Sequence, residues 1–318
     1  MEKPSVAIIT PTYKEPRAWI SQAVDSVRQQ ITPCTHFLVA DGVVRDDIDF
    51  DGVISLRAPK QSNDGGATPR AIGGRAAIEA GFDVIAYLDA DDMLEPNFVT
   101  EILRAFDAGF DCVGVPAQRV TTANEPLFLT DGSPAVTWVP HRDHLGQGEL
   151  CFLRACGLAV TGPSLPLDEV WGRMPRSLGG TCDLFWSWAA FDSPAKICWT
   201  LRPSYRYRMT NADVYPTYGL TPPPDADPLK SELHHQHHDA WNSLDREKKA
   251  EILNQIGITR GYRVRYPDCV EAIRHHVYSA SLLTLDTRRT FAIHPRRNGP
   301  SPTSAEDNTE IPISSISS

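Results

Sequence analysis

The 318-residue sequence has no long apolar run and no surplus of positive charge. No stretch reaches the ~20 apolar residues of a membrane-spanning helix, and the apolar run near the N-terminus is too short for a signal peptide. The formal net charge is −9, whereas a general nucleic-acid-binding surface needs a basic patch. We therefore expect a cytoplasmic protein with no integral membrane segment and no nucleic-acid partner.

Cysteine and glycine motifs of several protein classes are also missing. The seven cysteines include no CxxC pair, so neither a zinc knuckle nor a disulfide framework is indicated. Four glycines, Gly65, Gly66, Gly73 and Gly74, fit neither a Walker A loop nor a Rossmann fingerprint. P-loop enzymes and dinucleotide-dependent dehydrogenases therefore lose support.

Strand and helix patterns alternate through the first 115 residues. Short apolar runs predict strands at residues 5–10, 37–40, 53–56, 84–88 and 112–115. Helical spacing predicts one apolar face made of Ile20, Ala23, Val24 and Val27. A second helix is expected to begin near Pro69, and its predicted apolar face consists of Ile72, Ala76 and Ala80. Such alternation predicts an α/β fold with a mostly parallel sheet and helices on both faces.

Polar residues follow three of the predicted strands at their carboxyl ends: Thr12, Asp41 and Asp89. In open α/β sheets, ligands bind beyond the carboxyl ends of the strands. We therefore expect these three side chains to lie at a common binding site.

The acidic run Asp89-Ala90-Asp91-Asp92 directly follows residues 84–88, the most convincing of these predicted strands. Carboxylates so close together repel one another unless a cation lies among them. Oxygen ligands suit Mg²⁺ or Mn²⁺. The alternative is a solvated acidic turn that only caps the following helix. When the acidic run is considered alone, this interpretation is better than a metal site. The expected proximity of Thr12 and Asp41 reverses that preference and predicts a metal site.

Three ordered segments, VAIITPTYKEP, LVADG and YLDADDMLEP, resemble the family 2 glycosyltransferases with the GT-A fold. The resemblance covers roughly residues 6–207 and is strongest before Pro116. It implies a GT-A (Rossmann-like), mostly parallel mixed sheet and an inverting hexosyltransferase. It also implies a UDP- or GDP-linked sugar donor and a divalent metal cofactor, Mn²⁺ or Mg²⁺.

The resemblance further implies which residues bind the nucleotide-sugar. Thr12 and Tyr13, preceded by Pro11, look like the segment that lines the base and ribose, and Glu15 matches an acidic position often found beside it. Asp41 looks like the carboxylate that accepts a hydrogen bond from the uracil or guanine edge.

Within the acidic run, Asp91 looks like the direct metal ligand, and Asp89 would lie near both the ribose and the metal, with Ala90 in the donor site between them. The segment GGATPRAIGG resembles a subset of the family in which the arginine lies near the nucleotide. Arg70 would then meet a phosphate at the start of a helix. A surface arginine is an equally good interpretation of Arg70.

An inverting transferase also needs a general base for the acceptor hydroxyl. Asp183 matches the family's late acidic motif, which precedes an aromatic-bearing helix, and its position also suits a helix N-cap. Asp168 and Glu169 remain the alternatives.

The sequence departs from the family pattern in its late segments. Family members often carry a metal-binding histidine after a Tyr-Arg pair, whereas Met209 and Thr210 follow Tyr205-Arg206-Tyr207-Arg208 here. The QxxRW motif of processive synthases is absent, so polysaccharide synthesis coupled to export is not expected.

The predicted organisation has three parts: a GT-A domain at residues 1–220, a helical extension at 221–295 and a disordered tail at 296–318. The domain is divided into a nucleotide-binding half at 1–115 and an acceptor half at 116–220. The histidine-rich run at 234–239 is interpreted as a solvated helical segment rather than a zinc site.

Two other functions remain open: a nucleotidyltransferase, and a non-catalytic nucleotide-sugar- or carbohydrate-binding protein on a transferase scaffold. The sequence indicates neither the acceptor, which is carbohydrate, lipid-linked or protein, nor the oligomeric state.

Overall fold

The computed structural model describes residues 4–42, 45–129, 132–137, 157–161, 186, 190, 195–200, 202–227, 240 and 243–255. Within them the chain forms two β-sheets and the helices that pack against these sheets. The candidate base Asp183, its alternatives Asp168 and Glu169, the histidine-rich run and residues 296–318 lie outside the described residues. The proposed boundaries between the parts of the chain stay predictions.

The strands are β1 (Val6–Thr12), β2 (Thr35–Ala40), β3 (Val53–Arg57), β4 (Val84–Tyr87), β5 (Met93–Leu94), β6 (Cys112–Gly114), β7 (Ala117–Val120), β8 (Val136–Thr137), β9 (Leu158–Thr161), β10 (Ile197–Trp199) and β11 (Tyr205–Arg208). Seven of them form one sheet in the order β10-β6-β9-β4-β1-β2-β3. Neighbouring strands are parallel except where β9 pairs with β4 and β6. This mixed, mostly parallel sheet confirms the predicted fold class.

The helices are α1 (Arg17–Arg28), α2 (Ala67–Glu79), α3 (Phe98–Asp107) and α4 (Arg246–Gln255), with 3₁₀ helices at Asp46–Ile48 and Ala212–Tyr218. Ile8 of β1 belongs to a buried cluster with Val27 of α1 and Phe98 of α3. The next residue, Ile9, faces Gly73 of α2. Because successive side chains of a strand point to opposite faces, helices cover both faces of the sheet, as predicted. No helix in the described part of the chain has the length and apolar character of a membrane span.

Helix α2 packs close to the sheet. A Cβ atom at Gly73 would lie 2.5 Å from Cγ2 of Ile9 and 2.9 Å from Cγ2 of Val39, both inside van der Waals contact. Any larger residue here would push the helix away from the strands, so glycine at this position sets the spacing between α2 and the strand ends.

The buried face of α2 differs from the sequence-based prediction. Its buried residues are Ala67, Pro69, Arg70, Ala71, Gly73, Gly74 and Ala77. The predicted face was wrong, since Ala80 is exposed and Ile72 and Ala76 are only half-buried. The close approach selects small side chains instead of the largest apolar ones. It also turns one long polar residue, Arg70, toward the sheet.

The second sheet has four strands in the order β5-β11-β7-β8. Strand β5 begins at Met93, directly after the acidic run, and pairs antiparallel with β11. Strand β11 also pairs in parallel with β7. The sheet therefore places β11 beside the acidic run, at the carboxyl edge of the larger sheet.

His36 is a buried histidine inside β2. Its Nε2 atom lies 2.8 Å from Oγ1 of Thr10, and its side chain is 4% exposed. Burial, with a smaller contribution from the charge of Arg28, lowers the pKa of His36 from 6.5 to about 3. The imidazole is therefore neutral in the folded protein at neutral pH.

We expect His36 to make the fold less stable as the pH falls below 6.5. The unfolded chain protonates this histidine near pH 6.5, and the folded protein does so only near pH 3. The contribution of His36 to the free energy of unfolding is therefore complete above pH 6.5, and it declines toward pH 3 by about 1 kcal/mol per pH unit. Urea unfolding at about pH 7.5 and about pH 4.5 should show a larger loss of stability for the wild type than for His36→Gln. Equal losses would contradict this assignment.

Candidate active site

The structure brings together the polar ends of three neighbouring strands. The backbone N–H of Asp41, just after β2, donates to the carbonyl oxygen of Thr12 at 2.8 Å. The N–H of Leu88 donates to the carbonyl oxygen of Ile9 at 3.0 Å, which places Asp89 beside the end of β1. The predicted convergence of Thr12, Asp41 and Asp89 is therefore present.

Asp41 is buried and anchors the loop that leads into α2. One carboxylate oxygen accepts hydrogen bonds from the backbone N–H and the hydroxyl of Ser62, at 2.8 and 2.6 Å. The other accepts the backbone N–H of Asn63 at 3.1 Å. Since each carboxylate oxygen has two lone pairs, Oδ2 keeps acceptor capacity for a ligand. Asp41 thus has a structural role that the sequence did not indicate.

The segment from Pro11 to Glu15 is held by side chains from later loops. The backbone N–H of Tyr13 donates to Oε2 of Glu15 at 2.7 Å. Arg45 donates to the carbonyl oxygen of Glu15 at 2.7 Å and is itself oriented by both carboxylate oxygens of Asp47, at 3.0 and 2.8 Å. The Tyr13 hydroxyl accepts a hydrogen bond from Gln61 at 2.6 Å. These contacts fix the loop before any ligand is present.

The three carboxylates of the acidic run form a compact cluster. One oxygen from each of Asp89, Asp91 and Asp92 lies within 4.8 Å of the others. Asp92 is fully buried, while Asp89 and Asp91 are only half-buried. Asp89 and Asp91 are therefore the carboxylates more accessible to a ligand.

Asp92 is bound by strand β11 on two sides. Its Oδ2 accepts the hydroxyl of Tyr205 at 2.8 Å, and its Oδ1 accepts the backbone N–H of Arg208 at 2.7 Å. Burial raises the pKa of Asp92 well above its ordinary value, and the charges of Asp91 and Asp89 raise it further. The Tyr205 hydroxyl also accepts the backbone N–H of Asp89 at 3.1 Å. Asp92 and Tyr205 therefore tie the acidic run to the second sheet.

Arg70 reaches the acidic run from the buried face of α2. It is 4% exposed, and its Nη2 donates to Oδ1 of Asp89 at 2.5 Å. Its Nη1 donates to the carbonyl oxygen of Gly65 at 2.8 Å. The interpretation of Arg70 as a surface arginine is therefore wrong, and its contact with a phosphate stays a prediction.

The residues after β11 also face the acidic run. Oγ1 of Thr210 lies 3.5 Å from Oδ2 of Asp91, at the outer limit of a hydrogen bond. Arg208, the last residue of β11, is 1% exposed. The Thr210 hydroxyl thus lies beside Asp91, on the segment where the sequence lacks the metal-binding histidine.

The donor set of this cluster fits a divalent cation. Three carboxylates in so small a space are stabilised by a bound positive charge. Their oxygen atoms are the ligands that Mg²⁺ and Mn²⁺ prefer, and neither cysteine nor histidine belongs to the group. Asp89 and Asp91 are the residues that would hold the ion.

In open α/β sheets ligands bind outside the carboxyl ends of the strands, which is where this chain carries its acidic cluster. Residues 7–152 match the model of the family described as Glycosyl transferase family 2. The chain is therefore a glycosyltransferase, which confirms the enzyme class predicted from the sequence.

Solved structures similar to the chain include three of TarS from S. aureus. The structure of TarS residues 1–349 has a TM-score of 0.48 and 14% identity and covers 79% of this chain and 70% of that chain. The complexes of the same TarS fragment with UDP and with UDP-GlcNAc, each 14% identical, have TM-scores of 0.46 and 0.47. The match with the UDP complex covers 79% of this chain and 70% of the TarS chain. The match with the UDP-GlcNAc complex covers 87% of this chain and 81% of the TarS chain. No curated protein sequence is significantly similar to the chain.

Three residues of the site were not identified from the sequence: Arg45, Tyr205 and Arg208. The alternating Tyr-Arg-Tyr-Arg pattern is typical of a strand. Its contacts with Asp92, however, span 113 and 116 residues, and no local pattern reveals such a pairing. Arg45 acts through backbone carbonyl oxygens, which carry no sequence signal.

We expect Asp92→Ala to destabilise the protein by about 2–4 kcal/mol, because the buried Tyr205 hydroxyl and an amide N–H would lose their acceptor. Asp91→Ala is the matched control, since Asp91 is half-buried and its loss also relieves repulsion. Urea unfolding in metal-free buffer measures both variants. Similar free energies of unfolding for the two would show that Asp92 has no special structural role.

Proposed function

We propose that the chain transfers a sugar, with inversion, from a UDP- or GDP-linked donor to a hydroxyl acceptor, in a reaction that depends on a divalent metal. The observation that carries the proposal is the meeting of Thr12, Asp41 and the acidic run at one sheet edge, within a domain of glycosyl transferase family 2. The acceptor is a carbohydrate, a lipid-linked molecule or a protein.

The nucleotide base lies against the ends of β1 and β2 in this proposal. Oδ2 of Asp41 accepts an N–H of uracil or guanine, which its remaining lone pair allows. The hydroxyl oxygen of Thr12 is buried and has no hydrogen-bond partner among the described residues. Since buried polar atoms are normally satisfied, a polar group of the nucleotide is its expected partner. Pro11 and Tyr13 line the base and ribose.

The diphosphate lies at the acidic run. Asp91 is the proposed direct metal ligand, and Asp89 lies near both the metal and the ribose, with Ala90 between them. When bound, the ion would stabilise the negative charge that develops on the departing diphosphate. Arg70 keeps the Asp89 carboxylate in a fixed orientation and adds positive charge beside the phosphates.

Asp183 is the proposed general base. It accepts the proton of the acceptor hydroxyl as that oxygen bonds to the anomeric carbon, while the bond from the anomeric carbon to the diphosphate oxygen breaks on the opposite side. The assignment rests on the sequence motif before the aromatic-bearing segment, with Asp168 and Glu169 as alternatives.

The two alternative functions, a nucleotidyltransferase and a non-catalytic binding protein, are not equally well supported. The family match of residues 7–152 argues against a nucleotidyltransferase. A non-catalytic binding protein remains the competitor, because Thr210 follows the late Tyr-Arg segment where a metal-binding histidine is often found. Release of UDP or GDP from a nucleotide-sugar separates an enzyme from a binding protein.

Asp91→Ala should lower nucleotide release by at least about 100-fold, because the developing charge on the diphosphate would lose its metal. Release of UDP or GDP from nucleotide-sugars with Mn²⁺ is the measurement, and circular dichroism checks the fold. Asp107→Ala, an exposed acid on α3, should behave as the wild type. Full activity of Asp91→Ala at saturating Mn²⁺ would rule out the metal assignment.

Asp183→Asn should keep donor affinity and lose transfer by about 10²–10⁴-fold, the usual contribution of a general base. Calorimetric titration with the nucleoside diphosphate reports affinity, and donor hydrolysis reports chemistry with water as acceptor. Asp168→Asn and Glu169→Gln are the comparison variants. If one of them loses hydrolysis and Asp183→Asn does not, the base is that residue.

A further inference from the structure

Arg208 is a fully buried arginine at the end of β11. Its Nη2 donates to the side-chain oxygen of Gln22 and lies 3.5 Å from Sδ of Met93. Its guanidinium carbon lies over the ring of Trp19, 4.9 Å from the centroid. Its Nε and Nη1 have no hydrogen-bond partner in the described part of the chain. The contacts that hold this cation are thus a neutral amide, a thioether and an aromatic ring.

A buried charge held only by neutral groups costs free energy unless a nearby opposite charge compensates it. No carboxylate among the described residues lies within ion-pair distance of Arg208. Its neighbour on the same strand, Arg206, has the ordinary arrangement, an ion pair with Glu95 at 2.5 Å. The compensation for Arg208 therefore comes from charges farther away.

The acidic run supplies the larger part of that charge, and Asp225 supplies a smaller part. The backbone N–H of Arg208 donates to Asp92 at 2.7 Å, and Met93, which contacts its Nη2, directly follows Asp92. Burial lowers the pKa of Arg208, whereas the carboxylates of Asp91, Asp92 and Asp225 raise it. The guanidinium is thus a buried cation, held at the residue that follows Asp92, whose charge acts on the carboxylates that would hold a metal.

Two cations near the same carboxylates repel each other, and an anion beside them is attracted to both. The net effect of Arg208 on a lone divalent cation is therefore unfavourable. Its effect on the diphosphate is favourable, and the sum for a cation bound together with a diphosphate is close to neutral or favourable, because the pair carries little net charge.

We propose that Arg208 is a fixed counter-charge of the acidic run that makes the site favour a divalent cation together with a diphosphate over the cation alone. The inference rests on the proposed function, because it takes a metal and a nucleoside diphosphate as the ligands. Arg208 is a positioning residue in this account, since it acts through the field at Asp91 and Asp92 and not by touching the sugar.

The test uses the full chain and the variant Arg208→Met, which keeps most of the side-chain volume and removes the charge. Mn²⁺ alone should bind Arg208→Met about 10-fold more tightly than the wild type. UDP or GDP, whichever binds the wild type better, should bind Arg208→Met about 3- to 10-fold more weakly in saturating Mn²⁺. Electron paramagnetic resonance of free Mn²⁺ and calorimetry measure the two affinities.

Two further variants isolate the charge at this position. Arg208→Lys restores a cation without the planar stacking on Trp19 and should move both affinities from the Arg208→Met values back toward those of the wild type. Arg104→Met removes an exposed arginine on α3 and should change neither affinity. If lysine restores the two affinities, the effect of Arg208→Met comes from the lost charge and not from altered packing.

The decisive outcome is that Arg208→Met changes the two affinities in opposite directions, with tighter binding of Mn²⁺ and weaker binding of the nucleotide. If Arg208→Met binds Mn²⁺ no more tightly than the wild type, or if both affinities fall together, the counter-charge role is wrong. Asp91→Ala separates this failure from failure of the proposed function. If Asp91→Ala binds Mn²⁺ as the wild type does, or if the wild type binds neither UDP nor GDP, the metal and donor assignments fail, and the inference fails with them.

Discussion

The hydrogen bonds of the Asp92 carboxylate are the constraint on which the site depends. This buried side chain accepts the Tyr205 hydroxyl and the backbone N–H of Arg208, so it joins the turn after β4 to a strand of the second sheet. The turn carries Asp89 and Asp91. This junction holds the turn against the second sheet, while the ion pair with Arg70 holds Asp89 against α2. The second sheet is thus part of the site's framework.

Charge balance is the second constraint. Three carboxylates lie within 4.8 Å of one another, and the charges of two buried arginines from different elements act on them. Arg70 pairs directly with Asp89, which fixes the orientation of that carboxylate. Arg208 makes no such pair among the described residues and acts at longer range. One arginine therefore orders the cluster, and the other sets how strongly the cluster attracts a lone cation.

The parts of the fold with a strong local pattern could be predicted from the sequence. The predicted apolar face of α1 is buried in full, because a 3.6-residue period directly reports the side that meets the core. The prediction of the buried face of α2 was wrong, because α2 approaches the sheet closely at Gly73 and a glycine has no side chain to contribute to a pattern of apolar residues. The partners of Asp92 could not be predicted either, because they lie more than a hundred residues away. The site residues Thr12 and Asp41 were found because strand ends converge in any parallel sheet.

The most direct test of the central claim is the position of the metal. Crystals grown with Mn²⁺ and either UDP or GDP, with diffraction recorded at the manganese absorption edge, would locate the ion by its anomalous signal. The account predicts a single strong peak in coordination contact with the Asp91 carboxylate and a diphosphate oxygen, with Asp92 still bound to Tyr205. A bound nucleotide with no manganese at Asp91, or manganese at another group of ligands, would contradict it.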